Sequence, residues 1–328
     1  MKIRALLLSV VLGAAFLVAP AQAATQLSVG VAYDIGGRGD KSFNDASAAG
    51  LDKAKKQFDF NVEAVVTDGT TADREKRIRS LIAKNCNPII AIGAGYATTL
   101  QALAVEYPNT QFAIINDASV AALNVTSVVF ANTQGAYLAG FSAAQVSKSG
   151  KVAMIANADQ ADMYKDGFSA GVFASKKKVI PIVKYVSGSY SVATNQVLDA
   201  GADVVFVATQ GSDSEVFKAI VSRNAKKKGS NIGLINIEPD QYITVTNTTK
   251  KFLFASVVKR VDKAIYDVIA LSTTKKQYLD ILDADAGIYG RRYGITGGGI
   301  EFTIRSKELA RMSDLINVAA ATAEKISA

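Results

Sequence analysis

The 328-residue sequence has no histidine, no tryptophan and a single cysteine. Without histidine, the chain lacks the usual general base, the base of Ser–His and Cys–His catalytic pairs, and a ligand of the common zinc sites. Because Cys86 is alone, no intramolecular disulfide can form, and we expect this residue to be a small packed side chain. The sequence therefore predicts no catalytic residue, no metal site and no cofactor.

Long uncharged stretches are also missing, except at the N terminus. Lys2 and Arg4 precede an apolar run that ends at Pro20, and Ala21-Gln22-Ala23 then has the pattern of a signal peptidase site. The run is too short, and too promptly followed by a cleavage pattern, to be a good membrane anchor, although an uncleaved N-terminal helix is the alternative. We expect residues 1–23 to be a signal peptide, cleaved near its last residue. The product would be a soluble periplasmic protein without a lipid-anchor cysteine.

The charge balance is basic, with 37 lysines and arginines against 29 aspartates and glutamates and a formal net charge of +8. Such a balance can indicate nucleic acid or an anionic surface as the partner. Here the lysines form short runs, Lys176-Lys177-Lys178 and Lys226-Lys227-Lys228, at predicted helix ends, where cations interact favourably with the helix dipole. Neither terminus has a helix-turn-helix pattern, so we expect no nucleic-acid partner. A monomer is expected.

Beyond the N terminus, short apolar strands alternate with amphipathic helices, which is typical of parallel sheets covered by helices on both faces. The predicted strands are Leu27–Tyr33, Val62–Val66, Pro88–Ile92, Gln111–Ile115, Val125–Phe130, Lys151–Ala156, Val179–Val186, Val204–Val207, Gly233–Ile237, Phe252–Val257 and Ile300–Ile304. The predicted helices are Ser42–Phe58, Thr71–Asn85, Tyr137–Ser147, Glu215–Lys227, Arg260–Thr273 and a last one from about Ser306 to Ile326.

Two sets of about five strands divide near Asn132, with no Pro-rich or low-complexity linker between them. We therefore expect an α/β fold of two doubly wound lobes with parallel sheets, joined by ordered hinge segments. The N-terminal lobe is predicted to contain residues 24–131 plus about 258–285, and the C-terminal lobe residues 132–257 plus about 286–328. Because open α/β sheets bind ligands beyond the carboxyl ends of their strands, the predicted site is the cleft between the lobes.

The segment Asp34–Asn44 follows the first predicted strand and opens the first predicted helix, a position where α/β proteins place ligand contacts. Its glycines superficially suggest a phosphate-binding loop, but Asp40 separates Gly39 from Lys41 and breaks the Walker spacing. Two carboxylates within one loop also disfavour phosphate. Ser42 is the predicted N-cap of the following helix.

Seven short motifs occur in order along the chain. They are Val29–Asp34 (VGVAYD), Asp40–Asn44 (DKSFN), Phe112–Asp117 (FAIIND), Gly167–Gly171 (GFSAG), Gly201–Val205 (GADVV), Ile237–Gln241 (IEPDQ) and Ser256–Asp262 (SVVKRVD). This ordered set resembles the basic membrane protein family of solute receptors, and it spans nearly all of the sequence after the predicted signal peptide. The resemblance implies a type I periplasmic binding protein fold and a receptor for a nucleoside, with a purine nucleoside as the leading candidate ligand.

The resemblance also implies a set of ligand contacts. Asp34 and Asp117 match carboxylates that hold the ligand, and Phe43 matches an aromatic residue that stacks on the base. Glu238 stands where the family usually has Asp, and Lys259 matches a family lysine. The implied ligand-binding residues are Asp34, Phe43, Asn44, Asp117, Tyr190 as a second stacking aromatic, Gly211 as one glycine of a pair, Glu238 and Lys259.

These residue types suit a neutral polyol that carries a flat ring. Carboxylates accept strong hydrogen bonds from vicinal hydroxyls, and aromatic faces hold a planar base by dispersion and offset stacking. Three carboxylates against one lysine predict a ligand without phosphate. Simpler roles remain open: Asp34 and Asp117 would cap helices, and Phe43 would belong to the core. Lys259 and Glu238 would form a surface ion pair.

We therefore expect a periplasmic receptor of an ABC importer that closes on a nucleoside and delivers it to a permease in the inner membrane, without turnover. A nucleoside hydrolase is one alternative, but its carboxylates would lie close together in one loop, whereas here they are scattered over both predicted lobes. A ligand sensor that presents its closed form to a signalling receptor is the other alternative. The sequence does not separate sensing from transport.

Overall fold

The computed structural model describes residues 26–158, 161–209, 213–226, 229–274, 276 and 280–326. The predicted signal peptide, residues 1–23, lies outside these ranges. The strands are β1 Ser28–Tyr33, β2 Asn61–Val66, β3 Ile89–Ile92, β4 Phe112–Ile115, β5 Val125–Phe130, β6 Lys151–Asn157, β7 Ile180–Val186, β8 Val204–Ala208, β9 Gly233–Glu238, β10 Leu253–Lys259, β11 Asp280–Asp283, β12 Ile288–Tyr293 and β13 Ile300–Ile304. The helices are α1 Phe43–Gln57, α2 Thr71–Ala83, α3 Ala97–Glu106, α4 Asn132–Val146, α5 Ala161–Ala174, α6 Tyr190–Asp199, α7 Asp213–Lys226, α8 Asn247–Lys250, α9 Val261–Thr273, α10 Lys307–Ala310 and α11 Ser313–Ala323. Among these described helices, none has the length and apolar character that a membrane span requires.

The described strands form two sheets, both mostly parallel. The first has the order β11-β12-β5-β4-β3-β1-β2, with β11 antiparallel to β12. The second has the order β13-β10-β9-β8-β6-β7, with β13 antiparallel to β10. Strands such as β3, β4 and β8 are fully buried apolar runs, because helices cover both faces of a parallel sheet. The predicted α/β fold is confirmed.

Along the described residues the chain passes between the sheets after β5, after β10, and between β12 and β13. Strand β12 pairs with β5 of the first sheet, from Gly290 opposite Ser127 to Tyr293 opposite Phe130. The predicted change of lobe near residue 286 lies before this strand. Sheet pairing therefore moves the last crossing to residues 294–299, while the division of the whole chain into two lobes remains a prediction.

Helix α4 is the buried centre of the second half, and glycines allow helix α5 to approach it closely. Residues Gln134–Gln145 of α4 are all buried. A Cβ added to Gly140 of α4 would lie 2.0 Å from the carbonyl oxygen of Phe168 in α5. In the same way, a Cβ on Gly171 of α5 would lie 2.0 Å from the carbonyl oxygen of Tyr137 in α4. No other residue type fits at either contact, so the two glycines fix the spacing of this helix pair.

The C-terminal helix predicted from Ser306 to Ile326 is wrong as a single element. Helix α10 ends at Ala310 and α11 begins at Ser313, because Met312 has non-helical dihedrals (φ −109°, ψ 13°) and donates its N–H to the Leu309 carbonyl, three residues back. Cys86, by contrast, is buried beside the Ser28 hydroxyl, as its predicted packed role requires.

Candidate functional site

A cleft of about 450 Å³ lies where the carboxyl ends of β1, β3 and β4 face the carboxyl end of β9. It is therefore shared by the two sheets, at the strand ends where α/β proteins place ligands. The lining residues are Asp34, Ile35, Asp40, Ser42, Phe43, Asn44, Ile92, Gly93, Ala94, Gly95, Asn116 and Glu238. Four of the predicted ligand contacts, Asp34, Phe43, Asn44 and Glu238, are thus brought together.

The loop between β1 and α1 is held in place by the side chain of Asn44. Its Oδ1 accepts the Asp34 amide N–H at 3.0 Å, and its Nδ2 donates to the carbonyls of Asp34 and Ile35 at 3.3 and 3.2 Å. Asn44 is buried. Although it lines the cleft, its polar atoms are used to fasten Asp34 at the end of β1.

Asp40, rather than Ser42, caps α1. Its carboxylate accepts the backbone N–H groups of Ser42, Asn44 and Asp45 at 2.8, 3.0 and 3.1 Å. The prediction that the Ser42 side chain caps this helix is wrong, because Ser42 occupies the N-cap position but makes no capping hydrogen bond. A carboxylate has two acceptor oxygens and a charge that the positive end of the helix dipole stabilises, so it outcompetes a hydroxyl here.

Asp34 forms an ion pair with Arg74, which lies in the first turn of α2. Arg74 Nη2 donates to Asp34 Oδ1 at 2.9 Å, and the two side chains are 12% and 35% exposed. Among the described helices, none uses Asp34 as its cap, so that simpler role is excluded. Sequence analysis missed Arg74. The available signal was its position just after β2, at the same carboxyl edge of the first sheet as Asp34.

Phe43 begins α1, and it combines two roles that the sequence left as alternatives. Its ring packs against the hydrophobic core and is partly buried, yet it also lines the cleft. Lys259 Nζ lies 5.7 Å from the ring centroid, within the range of a cation–π contact. The last residue of β10 in the second sheet therefore reaches the first residue of α1 beside the first sheet.

Lys259 and Glu238 are not a surface ion pair, so that simpler role is also excluded. Lys259 is 1% exposed and donates to the Tyr164 hydroxyl at 3.1 Å, and Glu238 is 2% exposed. Burial alone would lower the pKa of Lys259, but Tyr164, Glu238 and Asp213 raise it, and the net direction is upward.

Neither carboxylate oxygen of Glu238 has a hydrogen-bond partner among the described residues. Burial raises the pKa of Glu238 to about 8, with Lys259 opposing the shift and Asp213 adding to it.

Asp213, at the start of α7, is a further buried carboxylate that sequence analysis missed. It is 3% exposed and accepts hydrogen bonds from the Thr209 hydroxyl and the Gln241 amide. Burial raises its pKa, while these two donors and Lys259 oppose the shift. The carboxyl edge of the second sheet therefore holds two buried acids and one buried amine.

The remaining predicted contacts lie elsewhere. Asp117 accepts the N–H and hydroxyl of Ser119 at 2.8 and 2.7 Å, which closes a local turn rather than capping a helix, and its neighbour Asn116 lines the cleft instead. Tyr190 begins α6 at the carboxyl edge of the second sheet, and its hydroxyl donates to Asn157 Oδ1 at 2.7 Å. Tyr190 is not a lining residue of the cleft. Gly211 lies outside the described residues.

The cleft thus offers hydrogen-bond acceptors of both sheets and one aromatic ring, a combination suited to binding a planar ring with hydroxyl substituents. Within the ranges that the structure describes, no group of three or more acidic or sulfur side chains is arranged to hold a metal ion.

Comparisons with known proteins identify a family. The model of the PnrA-like ABC transporter substrate-binding proteins matches residues 27–325. Basic membrane protein A1 of Borrelia garinii is 27% identical over 274 residues, covering 79% of this chain and 75% of its own. The ABC transporter nucleoside-binding protein BmpA of Lactococcus lactis is 25% identical over 261 residues, covering 74% of each chain.

Among solved structures, an ABC transporter solute-binding protein of Aeropyrum pernix matches with a TM-score of 0.66 at 22% identity, covering 92% of this chain and 87% of that one. At this identity the likeness shows the fold alone. That fold is the two-lobed α/β architecture of solute-binding proteins, in agreement with the two mostly parallel sheets.

Proposed function

Because the chain belongs to the PnrA-like family of ABC transporter substrate-binding proteins, we propose that its cleft binds a nucleoside, with a purine nucleoside as the leading candidate. In this proposal the loaded protein delivers the nucleoside to an ABC permease. The resemblance predicted from the seven sequence motifs is thereby confirmed. Nucleoside as the ligand is supported by the name of the Lactococcus lactis relative and by the chemistry of the cleft.

The observation that carries the proposal is the state of Glu238. A buried carboxylate without hydrogen-bond partners among the described residues is costly unless something supplies donors. Glu238 lines the same cleft as Asp34 and Phe43. Vicinal hydroxyls of a ribose would donate to the carboxylates, and a planar base would stack on the Phe43 ring.

The charged residues around the cleft support a ligand without phosphate. The argument depends on where the cations lie rather than on the number of carboxylates. Arg74 already donates to Asp34 and to the Gly69 carbonyl, and Lys259 donates to Tyr164. Neither cation is itself a lining residue of the cleft, whereas Asp34 and Glu238 are. Among the described residues that line the cleft there is no lysine or arginine, so a phosphate would meet carboxyl groups without a cation beside them.

The proposal is of a binding protein that acts outside the cytoplasmic membrane and has no turnover. The family consists of substrate-binding proteins, which act with a small-molecule ligand and a permease. We propose that export removes residues 1–23, which intact-mass analysis of the secreted protein tests directly. A mass that retains these residues, or that includes a lipid, would contradict the periplasmic assignment.

Calorimetry on purified, ligand-stripped protein tests the nucleoside assignment. Adenosine, guanosine and inosine are titrated beside their 5′-monophosphates and beside a neutral amino acid. The proposal predicts tight binding of at least one nucleoside and far weaker binding of its monophosphate. Tight binding of a nucleotide, or of the amino acid but no nucleoside, would overturn it, and steady release of free base would move the protein to the hydrolases.

A further inference from the structure

We propose that Arg74 is a positioning residue that holds the Asp34 carboxylate and balances its charge, so that the cleft prefers uncharged ligands over cationic ones. This inference rests on the proposed function. It concerns a side chain that is not itself a lining residue of the cleft and therefore acts through Asp34.

The Arg74 guanidinium is fixed by three contacts. Nη1 donates to the Gly69 carbonyl at 2.6 Å, and Nη2 donates to Asp34 Oδ1 at 2.9 Å. The guanidinium carbon lies 5.5 Å from the centroid of the Tyr96 ring, as in a cation–π contact. The planar fork of arginine makes such a set of contacts possible, whereas the single ammonium of lysine does not.

Gly95 provides the space for this arrangement. An ideal Cβ on Gly95 would lie 2.5 Å from Arg74 Cζ and 2.6 Å from Nη2, so any side chain there would displace the guanidinium. The next residue, Tyr96, is fully buried, and its hydroxyl donates to the carbonyl of Tyr33, directly before Asp34, at 2.8 Å. The Tyr96 side chain, whose ring contacts the Arg74 guanidinium, is therefore bonded to the end of β1, directly before Asp34.

Only one oxygen of Asp34 is used by Arg74. Its other oxygen, Oδ2, lies 3.3 Å from the position of an ideal Cβ on Gly93, which is a lining residue of the cleft. Oδ2 accepts no hydrogen bond from the described residues, so it is the atom available to a ligand hydroxyl. Arg74 thus orients the carboxylate, with one oxygen bonded to the guanidinium and the other beside Gly93 at the lining of the cleft.

The charge balance has a consequence for ligand choice. An unpaired carboxylate in a partly desolvated cleft attracts ammonium groups strongly. The Asp34–Arg74 ion pair carries no net charge, while the Asp34 carboxylate remains a hydrogen-bond acceptor. The cleft should therefore favour a neutral nucleoside over the same nucleoside with an ammonium group, and removal of Arg74 should reverse this preference.

The test compares adenosine with 5′-amino-5′-deoxyadenosine by calorimetry, in the wild-type protein and in Arg74→Met, Arg74→Lys and Arg77→Met. Arg77 is the matched control, because it lies on the same helix and pairs with Asp73 at 3.1 Å on a more exposed face. For Arg74→Met we expect adenosine to bind about ten- to a hundredfold more weakly, as when a charge-assisted hydrogen bond is lost. We also expect the affinity ratio of the amino compound to adenosine to rise at least about tenfold.

Arg74→Lys should restore the wild-type ratio, because the charge is back, but not the affinity for adenosine, because the fork is missing. Gly95→Ala, which keeps Arg74 and displaces it, should weaken adenosine binding with a smaller change in the ratio. Arg77→Met should leave both affinities unchanged. In combination with Asp34→Asn, Arg74→Met should have little additional effect, since it acts through that carboxylate.

Equal weakening of both ligands in Arg74→Met, or additive effects with Asp34→Asn, would overturn the inference and reduce Arg74 to a structural role. Binding of adenosine by the wild-type protein with an unchanged ratio in Arg74→Met would contradict the inference alone. Failure of the wild-type protein to bind adenosine, guanosine or inosine would contradict the proposed function and, with it, this inference.

Discussion

Glu238 combines a structural cost with a proposed binding role. Burial raises the pKa of its carboxyl to about 8, from an ordinary value of 4.5. Between these two values the folded chain binds a proton that the unfolded chain does not, so the free energy of unfolding falls as the pH rises through this window. The stability associated with the protonated carboxyl is fully present only below about pH 4.5.

Glu238→Gln removes this titrating group and should therefore remove its contribution to the slope. In the ligand-free protein we expect the variant to gain stability relative to wild type as the pH rises from 5 to 8. Urea unfolding at several pH values measures the difference, which also separates Glu238 from Asp213, because Asp213 is present in both proteins. Parallel stability curves for the two proteins would show that the Glu238 carboxyl titrates in its ordinary range.

Ligand affinity should have the opposite pH dependence. If ribose hydroxyls donate to the ionised carboxylate, binding must expel the proton, and adenosine affinity should rise by up to about tenfold per pH unit from pH 6 to about 8. Titrations in buffers of different ionisation enthalpy count the released proton. A flat profile in wild type, or one that Glu238→Gln does not flatten, would contradict this role of the carboxylate.

The residues of the site that lie near one another in the sequence could be predicted, whereas contacts between distant parts of the chain could not. Asp34 ends the first motif, Phe43 belongs to the second, and both closely follow the first strand, so their position at the strand end was predictable. Arg74 meets Asp34 from 40 residues away, and this contact depends on how α2 packs beside β1. Asp117 matches a family carboxylate, but in the structure its side chain serves a local turn, and Asn116 lines the cleft. A motif predicts the place of a residue better than the direction of its side chain.

At the scale of elements, β1 to β10 and β13 were predicted, and burial on both faces makes strands such as β3, β4 and β8 continuous apolar runs. Strands β11 and β12 were missed, because both contain charged residues and are partly exposed. Helix α5 was not predicted from the sequence. Its Gly167 and Gly171 lower helix propensity, and the sequence alone does not show that they serve close packing. The split between α10 and α11 was missed because it depends on the backbone of Met312, without a proline or glycine to mark it.

The close packing of α4 and α5 predicts a large effect of one methyl group. Gly140→Ala would place a Cβ 2.0 Å from the Phe168 carbonyl oxygen, so the helices must separate. Overpacking of this kind typically lowers the free energy of unfolding by about 1–3 kcal/mol, and backbone on the facing side leaves little room to relax. Urea unfolding of the variant at one fixed pH measures the loss.

Gly188→Ala is the matched control for that substitution. A Cβ on Gly188 meets no atom within 4 Å. We therefore expect this variant to be neutral or slightly stabilised through a restricted unfolded chain. Equal stability of the Gly140 and Gly188 variants would contradict the account of how α4 and α5 pack.

At the scale of the whole molecule, the lining of the cleft by both sheets predicts a closing motion when a ligand binds. It is lined by residues that follow strands of the first sheet and by Glu238, which ends a strand of the second. A ligand that bonds to both sides stabilises the closed arrangement, as in hinge closure around a ligand. Small-angle scattering should therefore give a smaller radius of gyration with adenosine than without it, and the difference should disappear in Glu238→Gln. An unchanged radius with saturating, calorimetrically verified ligand would exclude closure.

The most direct test of the central claim is a crystal structure of the exported protein grown with adenosine. We expect the nucleoside in the cleft between the two sheets, with its base against the Phe43 ring and ribose hydroxyls within hydrogen-bond distance of the Glu238 carboxylate. Adenosine bound elsewhere, or a different class of compound held by these same residues, would contradict the account.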